Sequence, residues 1–253
     1  MKQVSTTSEA TVTDRALWFT WYDLPPAGRD QHLAWLHDEY IPKVLERPGV
    51  LWAAHYASES NIVPQGGGTG RVGQHISGVP DGDRYILLFG ARAAHIFANP
   101  IPRTFHAALP ARDRSMLAMR IGERVNLMIE EARVDGPAIN GLMPAPCIQL
   151  GSFCTDSDDN EDLVTEWFAQ CRLPSVQTLP GCVRARKMVS VSGWAKHAAL
   201  YEFDSLKSRN DHFVFFERAQ PELEAWSVRT VKHLVHAPKS SNVACRIWPP
   251  LPQ

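Results

Sequence analysis

The chain has 253 residues, of which 44% are hydrophobic and 21% charged, with 26 Lys and Arg against 27 Asp and Glu. A formal net charge of -1, spread without basic runs, excludes a general field for nucleic acid or an anionic membrane. No apolar run reaches membrane-helix length, and the five cysteines contain no C-x-x-C pair, so free thiols are expected rather than a zinc site or a disulfide framework.

Residues 1–14, MKQVSTTSEATVTD, are polar, lack the apolar stretch of a secretory signal and are expected to be the disordered tail of a cytoplasmic protein. ALWFTWYDL then has strand composition and is broken by PPAGRD. Leu33, Leu36, His37, Tyr40, Ile41 and Val44 follow helical spacing, and Pro48-Gly49 stops that helix before the strand VLWAAHYA. Residues 60–83, PQGGGTGRVGQHISGVPDGD among them, read as a long glycine-rich loop or lid. Within it, GTGRVG matches G-x-G-x-x-G, but it neither leaves a strand nor opens a helix, so no dinucleotide is assigned to it. RYILLFGA and ERVNLMIEEARV are the next strands, with a proline-broken helical stretch between them, and the charges at the end of the second read as surface and linker charges.

The pattern then repeats. Trp35, Pro42, Val44, Pro48-Gly49 and Ala53 match Trp167, Pro174, Val176, Pro180-Gly181 and Ala185 without a gap, giving W-x6-P-x-V-x3-P-G-x3-A twice, 132 residues apart. CIQLGSFCT precedes the second copy as a strand, KHAALYEFD follows as another, and SLKSRNDHFVFFERAQ reads as a helix. A closing strand is expected in VRTVKHLVHA or NVACRIW. Each half is β-α-β-β-α-β, and the nearly all-apolar strands need cover on both faces. The expected fold is α+β: two fused ferredoxin-like units, 15–138 and 146–248, joined by a linker at 139–145 and packed sheet on sheet as an intrachain α+β barrel.

The doubled W-x6-P-x-V-x3-P-G stretch, with the opening aromatic strand and the later Y-E-F strand, resembles the dimeric α+β barrel superfamily, EthD-like and polyketide-cyclase-like proteins in particular. The resemblance covers most of residues 16 to 240. It implies a pocket between sheet and helices and cofactor-independent small-molecule chemistry. The family pattern usually carries a His two residues before the helix proline; here that place holds Tyr40 and Arg172.

His37 and Tyr40 are the polar members of an otherwise apolar helix face, one turn apart, and suit acid–base work or carbonyl polarisation. The alternative is a core His and Tyr satisfied by neighbours. His55 lies mid-strand, where alternation puts it with Leu51 and Ala53 on a face the sequence does not identify. Catalysis is therefore expected of His37, Tyr40 and His55. Trp35, Asn126, Arg172, Tyr201 and His75 are candidate substrate contacts, with Arg71 beside His75 on the loop. Arg172 also suits a salt bridge to Glu166 or Asp162 on its own helix. His233-x-x-His236 reads as a strand whose alternation separates the two rings, so no metal is assigned, and no haem motif or other cofactor is found.

The expected function is isomerase-, cyclase- or lyase-type proton transfer on an aromatic, polyketide-like or lactone substrate in catabolism. Non-catalytic small-molecule binding and cofactor-free monooxygenation are the alternatives. A small molecule is the expected partner, without nucleic acid or membrane, and with self-association beyond the internal pseudo-dimer left open.

Overall fold

The structure is a computed structural model that describes residues 13–59, 74–141, 144–218 and 220–251. Its strands are β1 (Ala16–Asp23), β2 (Val50–Ser58), β3 (Gln74–His75), β4 (Tyr85–Ala91), β5 (Ile121–Asp135), β6 (Cys147–Thr155), β7 (Cys182–Ser192), β8 (His197–Phe203), β9 (Leu234–His236) and β10 (Asn242–Trp248). Neighbouring barrel strands run antiparallel in the order β10-β2-β4-β1-β5-β7-β8-β6, and β6 pairs back onto β10 to close an eight-stranded barrel. The first half contributes β2-β4-β1-β5 and the second β7-β8-β6-β10, so the two halves share one strand order. At 15 residues, β5 is long enough to pair with β1 in its own half and with β7 across the junction.

Closure explains the apolar strands. One face of each sheet looks into the barrel, where Leu17, Phe19, Trp21, Ala54, Leu88, Met128, Leu150 and Leu200 pack. The other face meets helices, through Trp18, Ala53, Leu87 and Phe89 in the first half and Phe153, Ala185, Tyr201 and Phe203 in the second. Alternation persists, but both alternating sets are buried.

The helix packed on the first half runs through three contiguous stretches, Arg29–Trp35, Leu36–Tyr40 and Ile41–Leu45. The middle stretch is a π-turn in which the Ile41 N–H reaches the Leu36 carbonyl. Pro42 follows and has no N–H to donate; widening the turn ahead of it lets the helix continue. The second half repeats this with Glu161–Trp167, Phe168–Arg172 and Leu173–Gln177, the Leu173 N–H reaching Phe168 before Pro174. Both helices end at a Pro-Gly turn whose glycine is left-handed, Gly49 at φ 89° and Gly181 at φ 75°.

Several local expectations differ from the structure. Residues 1–12 lie outside the described residues, but Asp14, expected in the tail, is fully buried beneath the barrel wall. It accepts hydrogen bonds from Trp52 (2.9 Å), Arg133 (2.8 Å) and Arg186 (2.7 Å), and Arg186 also donates to Glu202 (3.1 Å). Burial works to raise the Asp14 pKa, but Arg186 and Arg133 hold it below the usual carboxylate value. The charges of β5 are accordingly not all superficial: Arg133 ties to Asp14, and Arg124 is buried with its guanidinium 3.8 Å from the Trp21 ring centre.

In the stretch from 205, the helical turns stop at Phe213, and beyond them Glu217 pairs with Arg172. NVACRIW supplies the closing strand β10, whereas VRTVKHLVHA is divided between helix Pro221–Val231 and the outer strand β9. Of the expected loop 60–83, residues 60–73 lie outside the described residues, GTGRVG and Arg71 included. Gln74–His75 form β3, which pairs in parallel with β9. No helix among the described residues is long and apolar enough to cross a membrane.

Candidate functional site

The register decides the orientation of His55. It pairs opposite Leu87 on the helix-facing side of the first half, under the π-turn that carries His37 and Tyr40. His37 Nε2 lies 2.9 Å from His55 Nδ1, and His55 Nε2 lies 2.9 Å from the Tyr22 hydroxyl. The result is a continuous hydrogen-bonded chain from a half-buried ring, through a fully buried one, to a fully buried phenol. A neutral imidazole donates with one nitrogen and accepts with the other. The chain therefore has two self-consistent states: Tyr22 donates inward to outward, or His37 donates outward to inward.

Burial keeps these groups neutral. It lowers the His55 pKa well below the ordinary value, with His37 and Arg120 adding to the effect, and lowers that of His37 against a small opposing pull from Asp38. Tyr22 is pushed up by burial, opposed in part by Arg120. Around the chain, Tyr85 stacks on both Tyr22 and His55, at 5.6 and 5.4 Å between ring centres. Trp248, from β10 of the other half, stacks on His37 at 6.2 Å.

Tyr40 belongs to a second pair. Its hydroxyl is 2.7 Å from Nε2 of His106, a part-exposed residue on the short helix Pro102–Ala107. It does not bond His37 or His55, so the one-turn spacing places this pair beside the His37–His55–Tyr22 chain. Between them stands Arg120, its guanidinium 4.5 Å from the Tyr22 ring centre and 5.4 Å from that of Tyr40. Its side chain is fully enclosed and pairs with Glu123 at 2.6 Å. Burial acts against its charge, but Glu123 keeps the guanidinium firmly protonated. Desolvation and this fixed cation together lower His106 to about 4 and His32 to about 4.

The other candidate contacts lie elsewhere. Trp35 donates to Asp113 (3.1 Å), which also accepts from Lys43 (2.6 Å); this fastens the helix to Ala111–Leu117. Asn126 faces the barrel interior, where its amide donates to the Ala195 carbonyl at 3.2 Å, so it cannot line a pocket under the helix. Arg172 and Tyr201 meet each other in the second half at 2.9 Å. Arg172 bonds Glu217, not Glu166 or Asp162, and Ser227 bonds the same carboxylate at 2.9 Å. Trp167, Phe213 and Phe216 enclose the guanidinium, so the place corresponding to Tyr40 is filled by an internal ion pair. His75 has its backbone beside β9, at the edge of the second half. No group of three or more His, Cys, Asp or Glu among the described residues is placed to hold a metal ion.

Tyr22, His106 and Arg120 were missed by sequence reasoning. Alternation from Trp18 puts Tyr22 on one strand face but leaves that face unidentified. Arg120 precedes its strand with no motif, and only the packing of the 102–117 segment brings His106 over Tyr40.

No family model matches this chain, and no curated protein matches it. Solved structures do. An anthrone oxidase-like protein aligns over 93% of this chain and 92% of its own, with a TM-score of 0.60 and 11% identity. A protein described as a "putative monooxygenase" from Fusobacterium nucleatum subsp. nucleatum ATCC 25586 covers 93% of both chains at a TM-score of 0.56 and 9% identity. Another so described, from Lactobacillus acidophilus NCFM, covers 92% of this chain and 93% of its own at 0.52 and 10%. At these identities the likeness is one of fold: the chain is an α+β barrel of the ferredoxin-like kind.

Proposed function

We propose that this protein is a cofactor-independent enzyme that removes a proton from carbon in a small aromatic or polyketide-like substrate. His37 is the base, and His55 and Tyr22 hold its ring in the reacting tautomer. The observation that carries this reading is the unbroken His37–His55–Tyr22 chain, half-buried at its outer end and buried at its inner end. In the state where His37 Nε2–H donates to His55, Nδ1 of His37 holds a free lone pair. A proton taken there makes His37 an imidazolium whose Nε2–H keeps its bond to His55, which stays neutral and holds the ring in place; return of the proton reverses the path. A base kept neutral near pH 7 is poised for this work.

The carbanion has two fates. Reprotonation elsewhere gives isomerase- or lyase-type chemistry. Reaction with dioxygen gives cofactor-free oxygenation, for which the balanced change at an activated methylene is CH2 + O2 → C=O + H2O. The descriptions of the fold neighbours favour the second fate. Anthrone, a carbon acid with such a methylene, is the test substrate. Oxygen uptake that tracks protein concentration supports oxygenation. Deuterium uptake in heavy water under nitrogen, without oxygen uptake in air, supports isomerase-type chemistry. Neither, across a panel of aromatic carbon acids, leaves the protein a binder and rejects the proposal.

We also infer that the barrel is two ferredoxin-like units fused in one chain. The shared strand order, the paired π-turns before Pro42 and Pro174 and the doubled sequence motif support it. The halves then divide the labour: the first keeps an open dyad at Tyr40, and the second closes the matching place with Arg172 and Glu217.

A further inference from the structure

We propose that Arg120 is the anchor for an anionic ligand presenting two coplanar oxygens, either an arenecarboxylate or a chelated enolate, in the cluster between Tyr22 and Tyr40. This rests on the proposed site and names the substrate class it takes. A guanidinium carries five donors in a fixed plane. In Arg120 the Nη1 edge is used, by Glu123 at 2.6 Å. Nε and Nη2 are buried and have no hydrogen-bond partner. The Tyr40 hydroxyl, bonded to His106 at 2.7 Å, also lies close enough to the guanidinium to interact with it and would share the bound oxygens.

The two unused nitrogens share one edge of the guanidinium, the side-on fork that matches a pair of oxygens. Buried donors without an acceptor are rare in native proteins and call for an occupant. The chemistry around this fork selects that occupant. Tyr22, Tyr40 and Tyr85 offer aromatic faces, and the histidines near Arg120 are held neutral, so they do not compete with it for the anion. Glu123 meets the guanidinium through Nη1 and is 30% exposed. An enolate formed by loss of a proton to His37 is itself such an anion. The fork would therefore hold the charged intermediate more tightly than the neutral substrate, which is the requirement for accelerating its formation.

The test is binding, read by calorimetry on the full chain with three probes: 2-naphthoate, the enolate of 2-phenylindane-1,3-dione and neutral 2-naphthamide. The wild type is expected to bind at least one anion about tenfold or more tightly than the amide, and Arg120→Gln to lose about 30-fold in affinity for that anion with little change for the amide. Arg120→Lys, which keeps the charge and loses the fork, should fall between. A preference for naphthoate alone assigns a carboxylate ligand, and one for the dione alone an enolate. If Arg120→Gln fails to fold, the wild-type preference and the Arg120→Lys loss decide. Equal binding of amide and anions, retention of the preference in Arg120→Gln, or no binding of any probe overturns the proposal and leaves the donors spent on the tyrosine ring faces. Because nothing is turned over, a negative result in the anthrone assays leaves this one intact.

Discussion

His37 Nε2 and His55 Nδ1 stand 2.9 Å apart, one on a helix and the other on the strand beneath it. Two rings joined in this way cannot both carry a proton at the shared contact without repulsion. The contact therefore holds one proton, and the Tyr22 hydroxyl on the far nitrogen of His55 donates or accepts to match either state.

Tyr22→Phe keeps the ring and deletes that hydroxyl. Stability should fall by about 1 kcal/mol, the worth of one buried hydrogen bond, while turnover falls on the order of tenfold to a hundredfold. Tyr40→Phe should cost a similar amount of stability, and its effect on turnover separates the Tyr40–His106 pair from the His37–His55–Tyr22 chain. Urea denaturation and steady-state rates on the same preparations check both. Normal turnover in Tyr22→Phe would remove Tyr22 from the mechanism.

Stability should fall in mild acid. His32 and His106 titrate near 4 in the folded chain, with burial the main cause, and near 6.5 once unfolded. Above pH 6.5 these groups are neutral in both states and cost nothing. Below it the unfolded chain binds protons that the folded chain refuses, so stability drops as pH falls from about 6.5 toward about 4, by on the order of 3 kcal/mol for a group fully shifted in this way. His37 and His55, lowered too, add in the same direction. Melting temperature against pH is the measurement, and His106→Phe should flatten the curve. A melting temperature that is level from pH 7 to 4.5 would contradict the assigned burial.

In the second half, Arg172→Ala should act on folding rather than on chemistry. It strands the buried Glu217 carboxylate, at a cost of about 3–5 kcal/mol. The double change Arg172→Met with Glu217→Leu should recover most of that loss, by denaturation midpoint. If the single change leaves the midpoint in place, the ion pair is not formed.

Gly90 gives a test of the barrel interior. A Cβ there would sit 2.2 Å from the Trp52 indole, so Gly90→Ala must push aside the ring that bonds Asp14. A loss of about 1–3 kcal/mol is expected, as for other overpacked cores. A neutral result would mean that Trp52 is not packed against β4.

Much of the architecture was legible because it is written in local pattern. Pro48-Gly49 and Pro180-Gly181 mark the helix stops, and continuous apolar strands such as RYILLFGA require cover on both faces. What stayed hidden depends on register and long-range packing. The side on which His55 lies follows from its pairing with β4, and one residue of slip would turn it into the barrel, where Asn126 is found. The helix periodicity selected His37 and Tyr40 but could not show that each takes a different partner. The charges of β5 read as superficial because a single sequence cannot display Asp14, far away in the chain, waiting for Arg133 and Arg186.

The central claim is that His37 takes a proton from carbon. Its most direct test is deuterium incorporation at the anthrone methylene, followed by NMR in heavy water under nitrogen, for wild type and His37→Gln at matched folded concentration. The wild type should exchange well above the buffer rate, and His37→Gln should lose on the order of a hundredfold or more. Exchange that proceeds equally well without the His37 imidazole would contradict the account.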